Sequence, residues 1–324
     1  MSLKIFSGTA NLPLAQKICA DLNIPLGDIY HHTFPSGELY AQFKSNIRGD
    51  DVFLIQGMGH QGSANESLMQ LLIMADAARR SSAARLTAVM PMCFYTRQDR
   101  KEKPRVPISA KLVMDLLQAA GFDRILTMDL HAQQIQGFSN LPFDSLKFQP
   151  ILINYIKQYI NMVIVAPDIG AVKRAEEYSK LLNTSLALIV KNRLGDDEVE
   201  IQSFVGNVKG KTAIIVDDLA ESCGTLLQAA KACKEKGAIK VICAVTHGCF
   251  TEVGQDRLIG AMNTFTMNDI DEFIYSDTVD YKWVSIPNIP RIPPVNLKKL
   301  SVSNLFAQAI QNIHENKSIS ELYN

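Results

Sequence analysis

Residues 210–248 read GKTAIIVDDLAESCGTLLQAAKACKEKGAIKVICAVTHG. The run TAIIV is β-branched and apolar and ends in two aspartates. A short polar turn follows, then LLQAAKACKEKG with apolar residues at helical spacing and a closing glycine, then a second apolar run, KVICAV. Strand, turn, helix and strand at this spacing form a parallel βαβ unit, because only a crossover of this length brings the second strand back in the same direction. The rhythm extends backward through NMVIVAPD (161–168), KRAEEYSKLLN (173–183) and SLALIVK (185–191). It also fills the first half: DVFLIQ (51–56), SLMQLLIMADAARR (67–80), RLTAVMP (85–91), ISAKLVMDLLQAAG (108–121) and DRILTMDL (123–130). The fold class is therefore α/β, with mostly parallel sheets flanked by helices.

The two halves repeat one another. IFSGTANLPLAQKICADLN (5–23) aligns with VAPDIGAVKRAEEYSKLLN (165–183) at an offset of 160, matching Ala15 with Ala175, Leu22 with Leu182 and Asn23 with Asn183. At an offset of 161, Gly49 and the strand ending at Gln56 meet Gly210 and the strand ending at Asp217. A nearly fixed offset across some fifty residues predicts a duplication. The expected domains are 1–146 and 147–324, divided near FDSLKFQPILI. The proline-rich PNIPRIPPVN (287–296) is expected to run extended before a last helix in VSNLFAQAIQNIHEN, since proline lacks an N–H and restrains its neighbour.

The 324 residues, 47% apolar and 20% charged, suit two globular domains with substantial cores. Thirty-three basic and 33 acidic residues cancel, so no global field draws nucleic acid or an anionic membrane, and an anionic ligand must be held by a local arrangement. The apolar runs fall short of the roughly 18 residues of a membrane span, and MSLKIFSGTA does not resemble a secretory leader. Six cysteines without a C-x-x-C pair read as reduced cytosolic thiols, and the six histidines lack zinc spacing. A cytoplasmic protein is expected. Gly57-Met58-Gly59-His60-Gln61-Gly62 fits G-x-G-x-x-G after a strand, but RLTAVMP supplies no acidic residue to complete a dinucleotide site, and no P-loop occurs.

In IIVDDLAESCGTLLQAAK the strand delivers Asp217 and Asp218, and the loop delivers Thr225 to a helix start. Ser222, Thr225 and the open N–H groups of that helix form an anion cradle, Gly224 allows close backbone approach, and the helix dipole favours phosphate. Asp217, Asp218 and Glu221 are then placed to accept hydrogen bonds from neighbouring hydroxyls. Phosphate at one end and a diol at the other describe a ribose phosphate. An acidic turn with an ordinary helix cap would account for the aspartates alone, but less well for the whole string.

This string, Asp217 to Thr225 with Cys223 and Gly224 inside it, resembles the ribose-phosphate loop of the type I phosphoribosyltransferase fold. With KIFSGTANLPLA, RGDDVFLIQ, LLIMADAARRSSAARLTAVMP, YTRQDRKEKPRVPISAKLV and AAGFDRILTMDLHAQQIQGF, it is similar, segment by segment and in order, to the ribose-phosphate pyrophosphokinase family. The resemblance implies two duplicated phosphoribosyltransferase-like domains and transfer of the β,γ-diphosphate of ATP to ribose 5-phosphate, with Mg²⁺, giving phosphoribosyl pyrophosphate and AMP. It assigns catalysis to Lys191 and Arg193, ATP binding to Ser36, Gly37, Glu38, Arg97 and Gln98, and metal positions to His131 and Asp168. Arg193 also joins the ribose-phosphate set, GDDEVE after it reads as a lid, and Asp168 to Arg174 looks like the pyrophosphate turn. Oxygen ligands suit Mg²⁺, so the metal is expected mainly on substrate phosphates. The family implies a homo-oligomer, dimer or hexamer, with the FPSGE loop supplied by a neighbour.

Several positions depart from the family pattern: Ser36 for Asp or Asn, Ala171 for a second glycine, Asn192 for the middle residue of Lys-Arg-Arg, Glu221 for Asp, and Thr251 and Glu252 in the regulatory loop. They leave phosphate and ADP regulation in question. Two alternatives stay open on sequence: the same transfer to another ribose 5-phosphoryl acceptor such as ADP-ribose, or a non-catalytic homologue binding synthetase subunits.

Overall fold

The computed structural model describes residues 1–59, 63–193, 199–262, 269–280 and 296–323, with the backbone alone for 191–193 and 199–201. The chain forms two compact units. The first comprises Met1–Lys147, Thr278–Asp280 and the segment from Ser301 onward; the second runs over Phe148–Asp277 and a last strand.

In the first unit the elements are β1 (Leu3–Ser7), α1 (Leu12–Asp21), β2 (Ile29–Thr33), β3 (Leu39–Phe43), β4 (Asp51–Ile55), α2 (Ala64–Arg80), β5 (Arg85–Met90), α3 (Ser109–Ala119), β6 (Arg124–Met128) and β7 (Phe143–Leu146). In the second they are α4 (Gln149–Ile156), β8 (Met162–Ala166), α5 (Val172–Leu182), β9 (Ser185–Arg193), β10 (Val199–Val205), β11 (Thr212–Ala220), α6 (Gly224–Glu235), β12 (Lys240–Gly248), α7 (Glu252–Met262), β13 (Glu272–Ser276) and β14 (Leu297–Leu300). The chain then returns to the first unit as α8 (Ser303–His314).

The first sheet has the order β1-β4-β5-β6-β7, all parallel, and β2 and β3 form a separate antiparallel hairpin. The second sheet has the order β10-β9-β8-β11-β12-β13-β14. Its core, β8-β11-β12-β13-β14, is parallel and repeats the first topology strand for strand, while β9 and β10 take the chain position of β2 and β3. The aligned asparagines have one cause: Asn23 (φ 54°) and Asn183 (φ 48°) turn the chain left-handed after α1 and α5, a conformation Asn tolerates better than most residues. Two more left-handed pairs coincide, Gly49 (φ 75°) with Gly210 (φ 69°), and Ser82 (φ 61°) with Gly237 (φ 87°).

Helix ends follow the sequence signals. Ser63 accepts from Glu66 N at 3.2 Å and donates its own N–H to Glu66 Oε2 at 2.7 Å, a reciprocal cap on α2. Asn11 Oδ1 accepts from Leu14 N at 3.2 Å to start α1. Strand β4, DVFLI, is buried along its length, as a central parallel strand covered on both faces must be.

The C-terminal helix differs from the expected division at 146/147, which put 301–324 with the second half. It falls in the first unit, and the reason is local. Helix α8 buries Leu305, Phe306, Ala309, Ile310 and Ile313. Its last turn is held by Arg85, whose Nη2 donates to Ile313 O at 2.9 Å, and by His314 Nδ1, 2.7 Å from the fully buried Asp51 carboxylate. The expected extended segment 287–296, except its last residue, and residues 60–62 of the G-x-G-x-x-G string lie outside the described residues.

Candidate active site

The candidate residues of the second unit fall in sequence at or just past the carboxyl ends of β8, β9 and β11, where open α/β sheets bind ligands. Asp217 and Asp218 close the apolar run of β11, and Asp218 is only 8% exposed. Asp218 N donates to Asp217 Oδ1 at 2.9 Å. Burial, reinforced by the neighbouring Asp218 and more weakly by Asp168, pushes the Asp217 carboxyl well above its ordinary value, against the pull of Arg174. Arg174, in the first turn of α5, places its guanidinium 3.9 Å from Asp218 Oδ1.

Asp168 has extended backbone, and its Oδ1 accepts from Ala171 N at 3.1 Å, closing a single 3₁₀ turn that leads into α5. The alanine in place of a second glycine brings no strain there: Ala171 has φ −84° and its side chain is buried.

Beyond β11 the loop passes through Glu221 and Ser222 to Cys223, which adopts φ 57° and ψ 2° and turns the chain into α6 at Gly224. Cys223 is buried and its thiol is pushed up to about 12 by desolvation, so it is a packing group rather than a nucleophile. Thr225 stands in the first turn of α6, at the positive end of the helix dipole.

The sequence reading missed the support of this loop. Thr251 N donates to Glu221 O at 3.1 Å, Thr251 Oγ1 does so at 3.2 Å, and Gly254 N donates to Thr251 Oγ1 at 3.2 Å. Arg257 Nη1 donates to Ser222 O at 3.2 Å. A Cβ on Gly254 would lie 2.0 Å from Glu221 O, so α7 approaches the loop as closely as glycine permits. THGCFTEVG thus departs from the family pattern where it buttresses the Glu221–Ser222 loop. Arg257 gave no signal of its own, being one basic residue within a helix.

Lys191 and Arg193 end β9, opposite Ile201 and Val199 of β10. Of the expected lid GDDEVE (195–200), residues 195–198 lie outside the described residues.

In the first unit, Ser36, Gly37 and Glu38 form the tip of the β2–β3 hairpin. Gly37 N donates to Phe34 O and Phe34 N to Glu38 O, both at 2.8 Å, and Ser36 Oγ donates to Glu38 Oε2 at 2.8 Å. Arg97 and Gln98 are exposed in the long loop after β5. Ala110 N donates to Gln98 O at 3.2 Å, and the Gln98 side chain accepts from Ser109 Oγ. His131 is exposed after β6.

No cluster of three or more His, Cys, Asp or Glu side chains in metal-binding geometry occurs among the described residues. Burial raises the Asp217 carboxyl most, and Asp218 and, more weakly, Asp168 add their negative charge beside it. Such an excess of carboxylate fits a hard cation that brings its own phosphate ligands. Among the described residues, no helix is long and apolar enough to cross a membrane.

Comparison with known proteins agrees with this architecture. Residues 3–121 match a family model described as the N-terminal domain of ribose phosphate pyrophosphokinase, and residues 199–324 match the phosphoribosyl synthetase-associated domain. The chain is 41% identical over 322 residues to the ribose-phosphate pyrophosphokinase of Campylobacter jejuni, covering 99% of this chain and 98% of that protein. It is 42% identical over 325 residues to ribose-phosphate pyrophosphokinase A of Dictyostelium discoideum, with the same coverage. The crystal structure of phosphoribosylpyrophosphate synthetase from Mycobacterium smegmatis superposes with a TM-score of 0.85 at 36% identity, over 98% of this chain and all of that one. Duplicated sheets, an acidic strand end beside a helix-start cradle, and full-length similarity lead to one conclusion: this chain belongs to the ribose-phosphate pyrophosphokinase family.

Proposed function

We propose that the protein transfers the β,γ-diphosphate of ATP to the anomeric hydroxyl of ribose 5-phosphate, giving phosphoribosyl pyrophosphate and AMP. The observation that carries this reading is the Asp217–Asp218 pair at a strand end leading into α6, with Asp218 buried and the half-buried Asp217 carboxyl raised by desolvation and by its neighbour. Ser222, Thr225 and the first N–H groups of α6 hold the 5-phosphate, with Cys223 and Gly224 shaping the loop. Asp217, Asp218 and Glu221 accept hydrogen bonds from the ribose hydroxyls and fix the ring. A hydroxyl donated to Asp217 returns the solvation that burial withholds from its carboxylate.

In the transfer, the anomeric oxygen bonds to the β-phosphorus of ATP as its proton leaves, and the bridge between the α- and β-phosphates breaks, with its electron pair departing on AMP. Lys191 and Arg193 stabilise the diphosphate in flight, and Arg193 also reaches the ribose phosphate. Arg97 and Gln98 hold the triphosphate, and Ser36, Gly37 and Glu38 border the adenine. His131 and Asp168 are the residues that would hold Mg²⁺, which would supply neutralisation of the phosphate charge. A cytoplasmic homo-oligomer without nucleic-acid or membrane partners completes the reading, supported by balanced charge and free cysteines, of which five are buried.

The test is Mg²⁺-dependent formation of AMP from ATP, followed by ³¹P NMR with ribose 5-phosphate and ADP-ribose in parallel. AMP with a new diphosphate ester from ribose 5-phosphate is expected. AMP with ADP-ribose alone would replace the acceptor, and no AMP from either would remove the catalytic reading.

A further inference from the structure

The duplication places in the first unit a counterpart of the ribose-phosphate site. At the observed offsets Gln56 takes the position of Asp217, and His31, the middle residue of β2, takes that of Lys191 at the end of β9. The charged groups of the second unit are here replaced by neutral ones, and these bond to one another. Gln70 Oε1 accepts from Thr9 N at 2.9 Å, from Thr9 Oγ1 at 3.1 Å and from Gln56 Nε2 at 2.5 Å. Gln56 Oε1 accepts in turn from Ala10 N at 3.2 Å. Gln56 is 1% exposed and Gln70 6%, so the network lies inside the unit. Gly8 admits it: a Cβ there would stand 2.5 Å from the Gln56 side chain.

The remaining arm of the network reaches the hairpin. His31 Nε2 lies 3.1 Å from Ser7 O, and His31 Nδ1 lies 3.4 Å from Gln70 Nε2. A carbonyl only accepts, so Nε2 carries the hydrogen and Nδ1 accepts from Gln70; with three donors on Gln70 Oε1, the amide orientation is fixed as well. β2 is not part of the five-stranded sheet, and this relay ties its centre to β1 on one side and to α2 on the other. Its tip, five residues on, is the Ser36–Glu38 loop.

We propose that this counterpart site has become a latch, with His31 and Gln70 as positioning residues that hold the β2–β3 hairpin so that its tip is presented to the adenine of ATP. The latch rests on the nucleotide reading of that tip for its functional consequence, though not for its existence. Losing this half-buried relay lowers the docked population of the hairpin and weakens nucleotide binding without touching the transfer step.

The experiment compares wild type, His31→Phe, His31→Gln and Glu38→Ala by steady-state kinetics and by hydrogen exchange of the 29–43 amides. His31→Phe keeps a ring but offers no bond to Ser7 O or Gln70; His31→Gln puts an amide donor where Nε2 stood. Expected are a roughly tenfold higher KM for ATP in His31→Phe, kcat and the KM for ribose 5-phosphate within about twofold of wild type, faster exchange across the hairpin, and recovery of both in His31→Gln. Unchanged hairpin exchange in His31→Phe would overturn the latch. So would an unmoved KM for ATP in that variant while Glu38→Ala raises it, because the tip would then bind nucleotide without needing the relay. Faster exchange in His31→Phe, with KM for ATP unmoved in both it and Glu38→Ala, would keep the latch and overturn the nucleotide reading of the loop instead.

Discussion

The guanidinium of Arg174 stands 3.9 Å from the carboxylate of Asp218, too far for a direct hydrogen bond and close enough for strong attraction. Arg174 lies in the first turn of α5, where the helix dipole disfavours a cation. The arrangement sets positive charge beside the Asp168 turn and negative charge at the end of β11, the polarity needed to meet a pyrophosphate on one side and sugar hydroxyls on the other. Arg174→Ala removes the opposing attraction on Asp217 and is expected to push that carboxyl higher still. Ribose 5-phosphate and phosphoribosyl pyrophosphate should both bind roughly tenfold more weakly, read by calorimetry. Unchanged affinity for both would contradict this assignment.

Asp217 also makes a prediction for stability. Burial and Asp218 hold its pKa above the unfolded value, so the folded chain retains a proton that the unfolded chain releases. Stability is therefore lost as pH rises from the ordinary carboxylate range through the raised folded value. Asp217→Asn should stabilise the protein at neutral pH by about 0.5–2 kcal/mol, at roughly 2–4 °C of melting temperature per kcal/mol, while abolishing ribose 5-phosphate binding. Thermal melts along a pH series check the sign: the advantage must shrink toward zero in acid.

The contact between Gly254 and Glu221 O predicts a specific loss. In Gly254→Ala the new methyl group would meet a backbone oxygen at 2.0 Å, so the Glu221–Ser222 loop or α7 must move. The KM for ribose 5-phosphate is expected to rise at least about tenfold, because displacements of about 1 Å at a positioned ligand cost factors of this size or more. Nucleotide binding, followed by the fluorescence of an ATP analogue, should not change.

The parallel sheets were legible because β4, β5, β8, β11 and β12 are continuous apolar runs between helices, and burial on both faces demands that composition. The acidic pair and the helix-start loop were legible because they are contiguous. The hairpin was not read as strands: IYHHT and LYAQF leave most of their side chains half-buried or exposed, so neither the apolar run nor a clean alternation marks them. The destination of α8 was hidden for a different reason. Its amphipathic pattern shows that it covers something, whereas the choice of surface rests on Asp51 and Arg85, far away in the chain. Thr251 and Arg257 were invisible as loop supports because their partners are backbone carbonyls, which every sequence possesses.

Lys191→Ala tests the transfer step itself. A cation that stabilises the diphosphate only as it moves contributes to kcat rather than to ground-state binding. AMP formation should fall by about 10²–10³-fold or more, with ATP still bound at near wild-type affinity. Near-normal turnover in this variant would remove Lys191 from the mechanism and leave Arg193 to account for the charge.

The C-terminal segment supplies the last prediction. Asp51 is fully buried, and its carboxylate is shared by Arg85 and His314, while the same guanidinium caps α8 through Ile313 O and meets Asn316 Oδ1 at 3.1 Å. Arg85→Ala leaves a buried carboxylate with one partner fewer and releases the end of α8 together. Breaking a buried ion pair from one side costs about 3–5 kcal/mol, more than replacing both charges would. The variant should melt well below wild type and lose residues 301–324 to limited proteolysis first. The paired change Asp51→Asn with Arg85→Met should recover a large part of the lost stability, because it removes the unmatched charge while keeping the volume filled. Since the segment belongs to the first unit, unfolding of the second unit, followed by its own exchange-protected strands β11 and β12, should be affected least.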